Sequence, residues 1–303
     1  MEKIKFSLEI GNQFHDVNSI IDFISNVENL NFYGLYYDDA VKWSTFDSWT
    51  ILSLIAIHSK KIRLGPAMTF INYRNPIILA KIASTIDQIS NGRLEFRIGI
   101  GDIGVKNDCE RYNFPLYQSA EKFLRLKEYI ELIKNLWTNS QSYKGKFYSS
   151  NSTNLPLNNI QSPFPPITIS GTKNNLLELC VDHADQWESI ETDIILYKSQ
   201  LNKLNEFCNS KGRNCNKIRK SLELFVGINE YESNIMNTVK SYVENMGLTL
   251  NHPWVNKWFI GNITKFQDFI NDFHDLNVEE FVIVPITDNL NKYVKSFATD
   301  LKL

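Results

Sequence analysis

Along the chain, short apolar runs bounded by turn residues alternate with longer segments whose apolar positions recur every three or four residues. Residues 3–10 read as a first strand, Val17–Glu28 as the helix after it, and Gly34–Tyr37 as a short buried strand ending in Asp38 and Asp39. Residues 49–58 are helical and 62–69 form the third strand. Pro76 suits the first turn of the next helix, whose Leu79, Ile82, Ala83, Ile86 and Ile89 share a face until Asn91 and Gly92 stop it. Residues 94–100 give the fourth strand, and Phe123, Leu126, Ile130, Ile133 and Trp137 mark an amphipathic helix. Residues 139–166, rich in Ser, Asn and Pro, read as an insertion after that fourth helix. Strands at 167–171, 186–190, 222–227 and Glu280–Pro285 follow, separated by helices over 175–183, up to about 211, over 235–246, and along the stripe Phe266, Phe269, Ile270, Phe273 and Leu276.

Eight strands in alternation with helices predict an α/β fold, a (β/α)8 TIM barrel, formed by residues 1–303 as a single domain carrying the insertion. With 303 residues, 43% of them hydrophobic, the chain has ample apolar material for such a core. Its 32 Lys and Arg against 34 Asp and Glu leave a net charge of -2 and no basic run, which disfavours nucleic acid as a partner. No apolar run approaches the ~20 residues a membrane span needs, and the N-terminal stretch lacks a secretory pattern, so a cytoplasmic protein is expected. Cys109, Cys180, Cys208 and Cys215 form no CxxC pair and the five histidines no HExxH spacing, so reduced thiols and no metal are expected.

In such a barrel chemistry gathers at the C-terminal ends of the strands, which brings Glu9, Asp38, Asp39, the run Ala67-Met68-Thr69, the run Gly99-Ile100-Gly101-Asp102 and the run Ser170-Gly171-Thr172 around one mouth. Strand alternation sets Glu9 on the face opposite Phe6, Leu8 and Ile10, toward the interior, where a carboxylate needs a structural partner or a chemical role. Residues 99–104 match GxGxxG, but the polar stretch 106–115 predicts no helix opening at once and no acid follows at the right distance, so a Rossmann site is rejected. The glycines instead allow a flat ring to approach the backbone, with Asp102 facing the pocket; a plain tight turn is the competing reading. Ser170, Gly171, Thr172 and Lys173 stand between a strand and a helix N-terminus, which suits a phosphate or an ordinary helix cap. The same holds for Gly261-Asn262-Ile263-Thr264, where capping is the preferred reading.

Taken in order, Ile62-Arg63-Leu64-Gly65-Pro66, Arg74-Asn75-Pro76, the helix from Leu79 to Asn91-Gly92-Arg93, Gly99-Ile100-Gly101, Pro165-Pro166-Ile167-Thr168-Ile169-Ser170-Gly171, His183-Ala184-Asp185-Gln186-Trp187 and Phe259-Ile260-Gly261-Asn262 resemble the bacterial-luciferase-like superfamily of flavin- and deazaflavin-dependent oxidoreductases. Within it, Glu9 and Gly99-Ile100-Gly101-Asp102 resemble coenzyme F420-dependent methylenetetrahydromethanopterin reductase. The resemblance implies a barrel enzyme that transfers a hydride between F420 and a small substrate, such as a pterin-bound C=N. An FMN-dependent monooxygenase and a non-catalytic flavin-binding barrel are the alternatives. It also implies a homodimer, for which a 13% aromatic chain has apolar surface.

By the same resemblance the ring lies against Ala67, Met68 and Thr69, with a non-prolyl cis peptide at Ala67-Met68, and against Gly99, Ile100 and Gly101, while the tail phosphate meets Ser170–Lys173. Related deazaflavin enzymes carry Asp-His after the second strand and a Trp four residues beyond that His; here Asp38-Asp39 and Trp43 stand in those places, so the cofactor contact falls to Asp38 and the reacting centre to Asp39 and Trp43. A carboxyl replaces an imidazole, so no mechanism that needs that His carries over. The chemistry then centres on Glu9 as proton donor and Asp102 as the group that holds it or the substrate. Residues 139–166 and the loop at His252-Pro253-Trp254 are expected to shape the substrate pocket.

Overall fold

A computed structural model describes residues 4–303 except 102, 139–141, 152–154, 156, 191 and 232–233; at Ile103 and Ser119 it describes the backbone alone. The barrel strands are β1 (Lys5–Ile10), β2 (Gly34–Tyr37), β3 (Arg63–Pro66) continued by β4 (Thr69–Phe70), β5 (Phe96–Gly99), β8 (Ile167–Ser170), β9 (Gln186–Ser189), β10 (Arg219–Ile228) and β12 (Glu280–Pro285). Every neighbouring pair is parallel, and β1 lies between β2 and β12. The ring closes where Leu64 donates to Arg93 and accepts from Glu95, and where β4 pairs with β5. Two further strands, β6 (Tyr143–Lys144) and β7 (Ser149–Ser150), form a separate antiparallel hairpin, and β11 (Phe259–Gly261) pairs with the end of β10.

The surrounding helices are α1 (Val17–Glu28), α2 (Ser48–His58), α3 (Pro76–Ile89), α5 (Ser119–Trp137), α6 (Asn174–His183), α7 (Ile194–Ser210), α9 (Ile263–His274) and α10 (Leu290–Leu301). Their starts follow from local chemistry. Asp16, Asp47, Asn75, Asp193, Asn262 and Asn289 each accept a backbone N–H in the first turn, and Pro76 occupies the opening of α3. The stripe Ile20, Phe23, Ile24 and Val27 seats α1 on the sheet, and all six residues of β12 are buried, as a strand covered on both faces requires.

Among the described residues two α-helices sit outside this ring, and both lie between a strand end and the next ring helix, over the C-terminal mouth. One is α4 (Ile103–Tyr112), which opens directly after Gly101 where the polar stretch predicted no helix. Of its described side chains only Val105, Asp108 and Cys109 are buried, so hydrophobic periodicity could not reveal it; the exclusion of a Rossmann site rests instead on the closed parallel ring. The other is α8 (Ile235–Asn245), which the alternation assigned to the outer ring. It packs on a small core of its own with Phe225, Trp258, Val284 and Ile286, and the crossover from β10 to β12 is completed by α9. The third strand is broken into β3 and β4 at Ala67-Met68, whose peptide bond is cis. Asn262 caps α9 by accepting from the Lys265 N–H, an ordinary cap. The four cysteines are free.

The insertion joins α5 to β8 and so lies at the opposite, N-terminal end of the barrel. Glu128 accepts the N–H groups of Lys146, Phe147 and Tyr148, and Asp87 accepts those of Ile160 and Gln161. No helix among the described residues is long and apolar enough to cross a membrane.

The barrel interior is polar where aliphatic side chains usually stack. Arg97, with no exposed surface, puts Nη2 2.6 Å from Glu188 Oε2 and its guanidinium 3.9 Å from the Tyr36 ring centre. Glu280 accepts from Ser7 Oγ at 2.6 Å, Tyr36 Oη at 2.7 Å and Gln186 Nε2 at 2.9 Å. Ser221 Oγ donates to Glu188 at 3.0 Å. These bonds tie strand to strand across the ring, which fixes register as an apolar core fixes it by shape.

Candidate active site

Above this network the C-terminal mouth opens into a cleft of two lobes. The larger, about 420 Å³, is walled by Ala67, Met68, Gly99, Ile100 and Gly101 on one side and reaches Ser170, Gly171, Thr172 and Lys173. The smaller, about 300 Å³, runs along Gly11, Asn12 and Gln13 toward Tyr242, Asn245 and Asp288. Glu9, Asp38, Trp43, Phe225 and Met246 line both, so they stand at the junction. Both volumes lie at the lower end of what small-ligand sites need.

Glu9 pairs in register with Tyr36 on β2 and points inward with it. Its Oε2 is buried and has no hydrogen-bond partner among the described residues. Burial lifts its pKa well above the ordinary glutamate value; the nearby charges of Glu223 and Asp38 add to the rise, and Arg97 opposes it. Glu9 is thus a carboxyl that keeps a proton to unusually high pH at the junction of the lobes.

Asp39 lies elsewhere. Its carboxylate holds Arg74 Nη1 at 2.5 Å and Thr69 Oγ1 at 3.0 Å, is nearly fully buried, and does not line the cleft. Burial raises its pKa to about 6, with Arg74 and the Thr69 hydrogen bond resisting. Thr69 also accepts from Trp49 Nε1 at 3.3 Å and stays behind the wall with it. Asp38 faces the cleft and accepts from the Ala40 N–H at 2.8 Å. Asp102 lies outside the described residues.

Gly99 exposes bare backbone to the larger lobe. A Cβ there would stand 3.7 Å from Met68 Cβ, filling space in front of that wall, so the absence of a side chain is what leaves room for a flat ring. Gly101, at φ +77°, turns the chain into α4 with Val105 packed against it. At the far end Gly171 is not a free donor, because its N–H bonds Glu188 O at 3.1 Å and its carbonyl accepts from Trp187 Nε1 at 2.9 Å. The anion-binding capacity there rests on Thr172, Lys173 and the α6 N-terminus, which no side chain caps.

Sequence reasoning missed Glu223, Phe225, Tyr242, Asn245 and Asp288. The first two were accessible to the argument used for Glu9, since Ser221, Glu223 and Phe225 alternate along β10 as Ser7 and Glu9 do along β1. The rest come from α8 and the loop after β12. His252 and Trp254 do line the larger lobe, whereas none of the described residues of the 139–166 insertion lines either. The expectation that the insertion shapes the pocket is therefore corrected: a segment between a helix and the next strand emerges at the wrong end of the barrel.

A closed parallel barrel with a glycine-walled cleft at its C-terminal mouth, and a carboxyl at the junction of its lobes whose Oε2 is buried without a hydrogen-bond partner among the described residues, is the build of a small-molecule enzyme. The sequence pattern of the luciferase-like monooxygenase family matches residues 5–278, and the chain belongs to that family. Among known proteins it is 33% identical over 129 residues to the oxygenase component of the flavin-dependent trigonelline monooxygenase of Acinetobacter baylyi, a match covering 43% of this chain and 35% of that protein. The chain therefore matches about a third of that relative's length. Two solved structures share the fold over 98% of both chains: an F420-dependent secondary alcohol dehydrogenase in complex with an F420-acetone adduct, TM-score 0.85 at 14% identity, and the coenzyme F420-dependent tetrahydromethanopterin reductase of Methanopyrus kandleri, TM-score 0.81 at 18% identity.

Proposed function

We propose that the protein is an F420-dependent oxidoreductase that moves a hydride between the deazaflavin and a small substrate, with Glu9 as the proton donor. The observation that carries this reading is the Glu9 carboxyl, its Oε2 buried without a partner between two lobes, one of them walled by bare glycine backbone. The F420 dependence named for two proteins of the same fold supports the cofactor choice, and a C=N of the pterin type is one acceptor it suggests. The larger lobe suits the ring against Ala67, Met68, Gly99, Ile100 and Gly101, with Thr172, Lys173 and the α6 N-terminus toward the anionic tail.

When bound, the deazaflavin supplies the hydride. The chain's own residues do the rest. Glu9 holds a proton at its carboxyl because burial and the charges of Glu223 and Asp38 keep it neutral, and it donates that proton to the heteroatom on which negative charge develops, for roughly 10²–10⁴-fold in rate. Trp43 and Phe225 give the junction of the lobes an aromatic wall. Asp39 acts from behind the wall by holding Arg74 and Thr69.

The test is equilibrium binding of F420 and of FMN to the purified protein, followed by turnover of the preferred cofactor in wild type and Glu9→Gln. F420 binding with a large loss of turnover in the variant at unchanged affinity supports the proposal. Tight FMN binding without F420 binding overturns it in favour of a flavin monooxygenase, the reading the trigonelline relative supports. We further read the chain as a cytoplasmic, single-domain homodimer. Exposed Ile57, Ile78 and Ile195 on the outer helices offer apolar contact surface, and light scattering at 35.2 kDa would count against the dimer.

A further inference from the structure

The loop that carries His252 and Trp254 lines the larger lobe, and neither the proton donor nor the glycine wall draws on it. Its backbone is tied down on both sides of the imidazole: the His252 N–H donates to Thr249 O at 2.9 Å, and the Asn256 N–H donates to His252 O at 3.3 Å. Pro253 has no N–H, so Trp254 supplies the first backbone donor beyond His252, and that N–H meets His252 Nδ1 at 3.2 Å. An Nδ1 that accepts is unprotonated, so the neutral imidazole carries its proton on Nε2. Among the described residues no group bonds Nε2, and His252 lines the larger lobe and not the smaller.

The same loop is anchored at one end of that lobe. The Trp254 ring meets Phe225 edge-on at 5.2 Å between centres and Trp258 at 6.2 Å, while Phe225 and Trp258 stack 4.7 Å apart. Lys257 pairs with Asp193 at the start of α7. Phe225 stands with Glu9 where the lobes meet, so this packing sets the His252 loop at the junction end of the larger lobe, with Thr172 and Lys173 at the other. A donor whose proton position is preset by a backbone bond, on a loop whose neighbours are packed, loses little freedom when it meets an acceptor.

We propose that His252 is a ligand-binding residue of the larger lobe, donating its Nε2–H to an acceptor at the edge of the cofactor's ring, a ring carbonyl oxygen or nitrogen. The inference rests on the reading of the larger lobe as the cofactor site. It gives that lobe two kinds of ring contact, bare backbone at Gly99 against a face and a neutral, directional donor at an edge.

Two measurements on the full chain test it. Nitrogen NMR of isotope-labelled histidines at about pH 8, with the His252 signals identified by their loss in His252→Ala, is expected to show a neutral ring protonated at Nε2, and F420 is expected to shift the Nε2 resonance. Equilibrium binding of F420 and of its phosphate-free deazaflavin nucleoside is then compared in wild type, His252→Ala and His252→Gln. The alanine variant should bind both ligands roughly tenfold more weakly, and glutamine, which keeps an N–H donor at similar reach, should recover most of that loss. A ring protonated at Nδ1, unchanged affinity in His252→Ala, equal losses in both variants, or a loss seen with F420 and not with the nucleoside overturns the proposal. FMN is titrated into the same proteins. If F420 binds without dependence on His252, the inference alone falls. If FMN binds in place of F420 and His252→Ala weakens it by the same factor, the donor stands and the F420 reading falls; if neither binds, both fall.

Discussion

Replacing Arg97 by Met would test whether the polar barrel interior holds the fold together as an ionic unit. Arg97 has no exposed surface, and Glu188 Oε2 at 2.6 Å is its one carboxylate partner at ion-pair distance among the described residues, where its Nε and Nη1 have no hydrogen-bond partner. Opposite charges about 4 Å apart attract by about 4 kcal/mol at an effective dielectric near 20. Removing one member of a buried pair costs about 3–5 kcal/mol, because the other charge stays buried and unpaired. The loss should depend on pH in one direction. Burial already raises the Glu188 pKa and Arg97 opposes that rise. Without Arg97 the folded state binds a proton at pH values where the unfolded chain, with an ordinary glutamate, does not. A raised folded pKa contributes stability that is present at low pH and lost as pH rises, by about 1.4 kcal/mol for each pH unit separating the folded pKa from the unfolded one. The deficit of the variant should therefore be largest near pH 8 and shrink toward about pH 5.5. Guanidinium unfolding followed by tryptophan fluorescence, with refolding checked, measures it. A deficit below about 1 kcal/mol at pH 8, or one that does not change with pH, would refute the reasoning.

Three further outcomes follow from the site. Asp39→Asn should flatten the fall of stability with rising pH between about 4 and 6: with the folded pKa raised to about 6 from 3.8, the native state holds a proton the unfolded chain has lost, and the difference reaches about 3 kcal/mol, read as the gap between wild-type and variant unfolding curves across that range. Gly171→Ala should destabilise by about 1–3 kcal/mol, since a Cβ at φ +144° would overlap the Leu176 side chain and push on α6, and an unchanged melting temperature would contradict it. Lys173→Met should weaken F420 by roughly tenfold and reduce the salt dependence of its binding, and equal affinity in both proteins would remove the anion site from this loop.

Much of the frame was legible because burial writes itself into periodicity. Val17–Glu28, Gly34–Tyr37 and Glu280–Pro285 match their predicted bounds, each being an element whose apolar face is continuous. The C-terminal strand ends then gave Glu9, Asp38 and the two glycine-bearing loops their place at one mouth, and the family resemblance added Trp43. Legibility failed where hydrophobic pattern and position part company. The polar α4 left no stripe, the apolar stripe of α8 looked like that of a ring helix, and α10 with its buried Tyr293, Val294 and Phe297 went unread. Asp39 was grouped with the cleft because it neighbours Asp38, yet the strand-end geometry turns it toward Arg74 on the far side of the wall. Glu223 escaped because β10 was read for its apolar residues alone.

The separate small core beneath α8 divides the molecule's labour. Ile235, Val239, Val243 and Trp258 pack on Phe225, Val284 and Ile286 apart from the main core. A segment seated on its own small core is expected to open as a sub-global unit before the barrel does. Amide exchange should accordingly run faster in α8 than in β10, and equal protection would tell against a separate unit. A mutation here changes the wall that faces the smaller lobe through Tyr242, Asn245 and Met246 and leaves the glycine wall of the larger lobe untouched. The fold thereby sets one lobe of the cleft on the barrel's strand ends and part of the other on a helix with a core of its own, so the two walls can change independently.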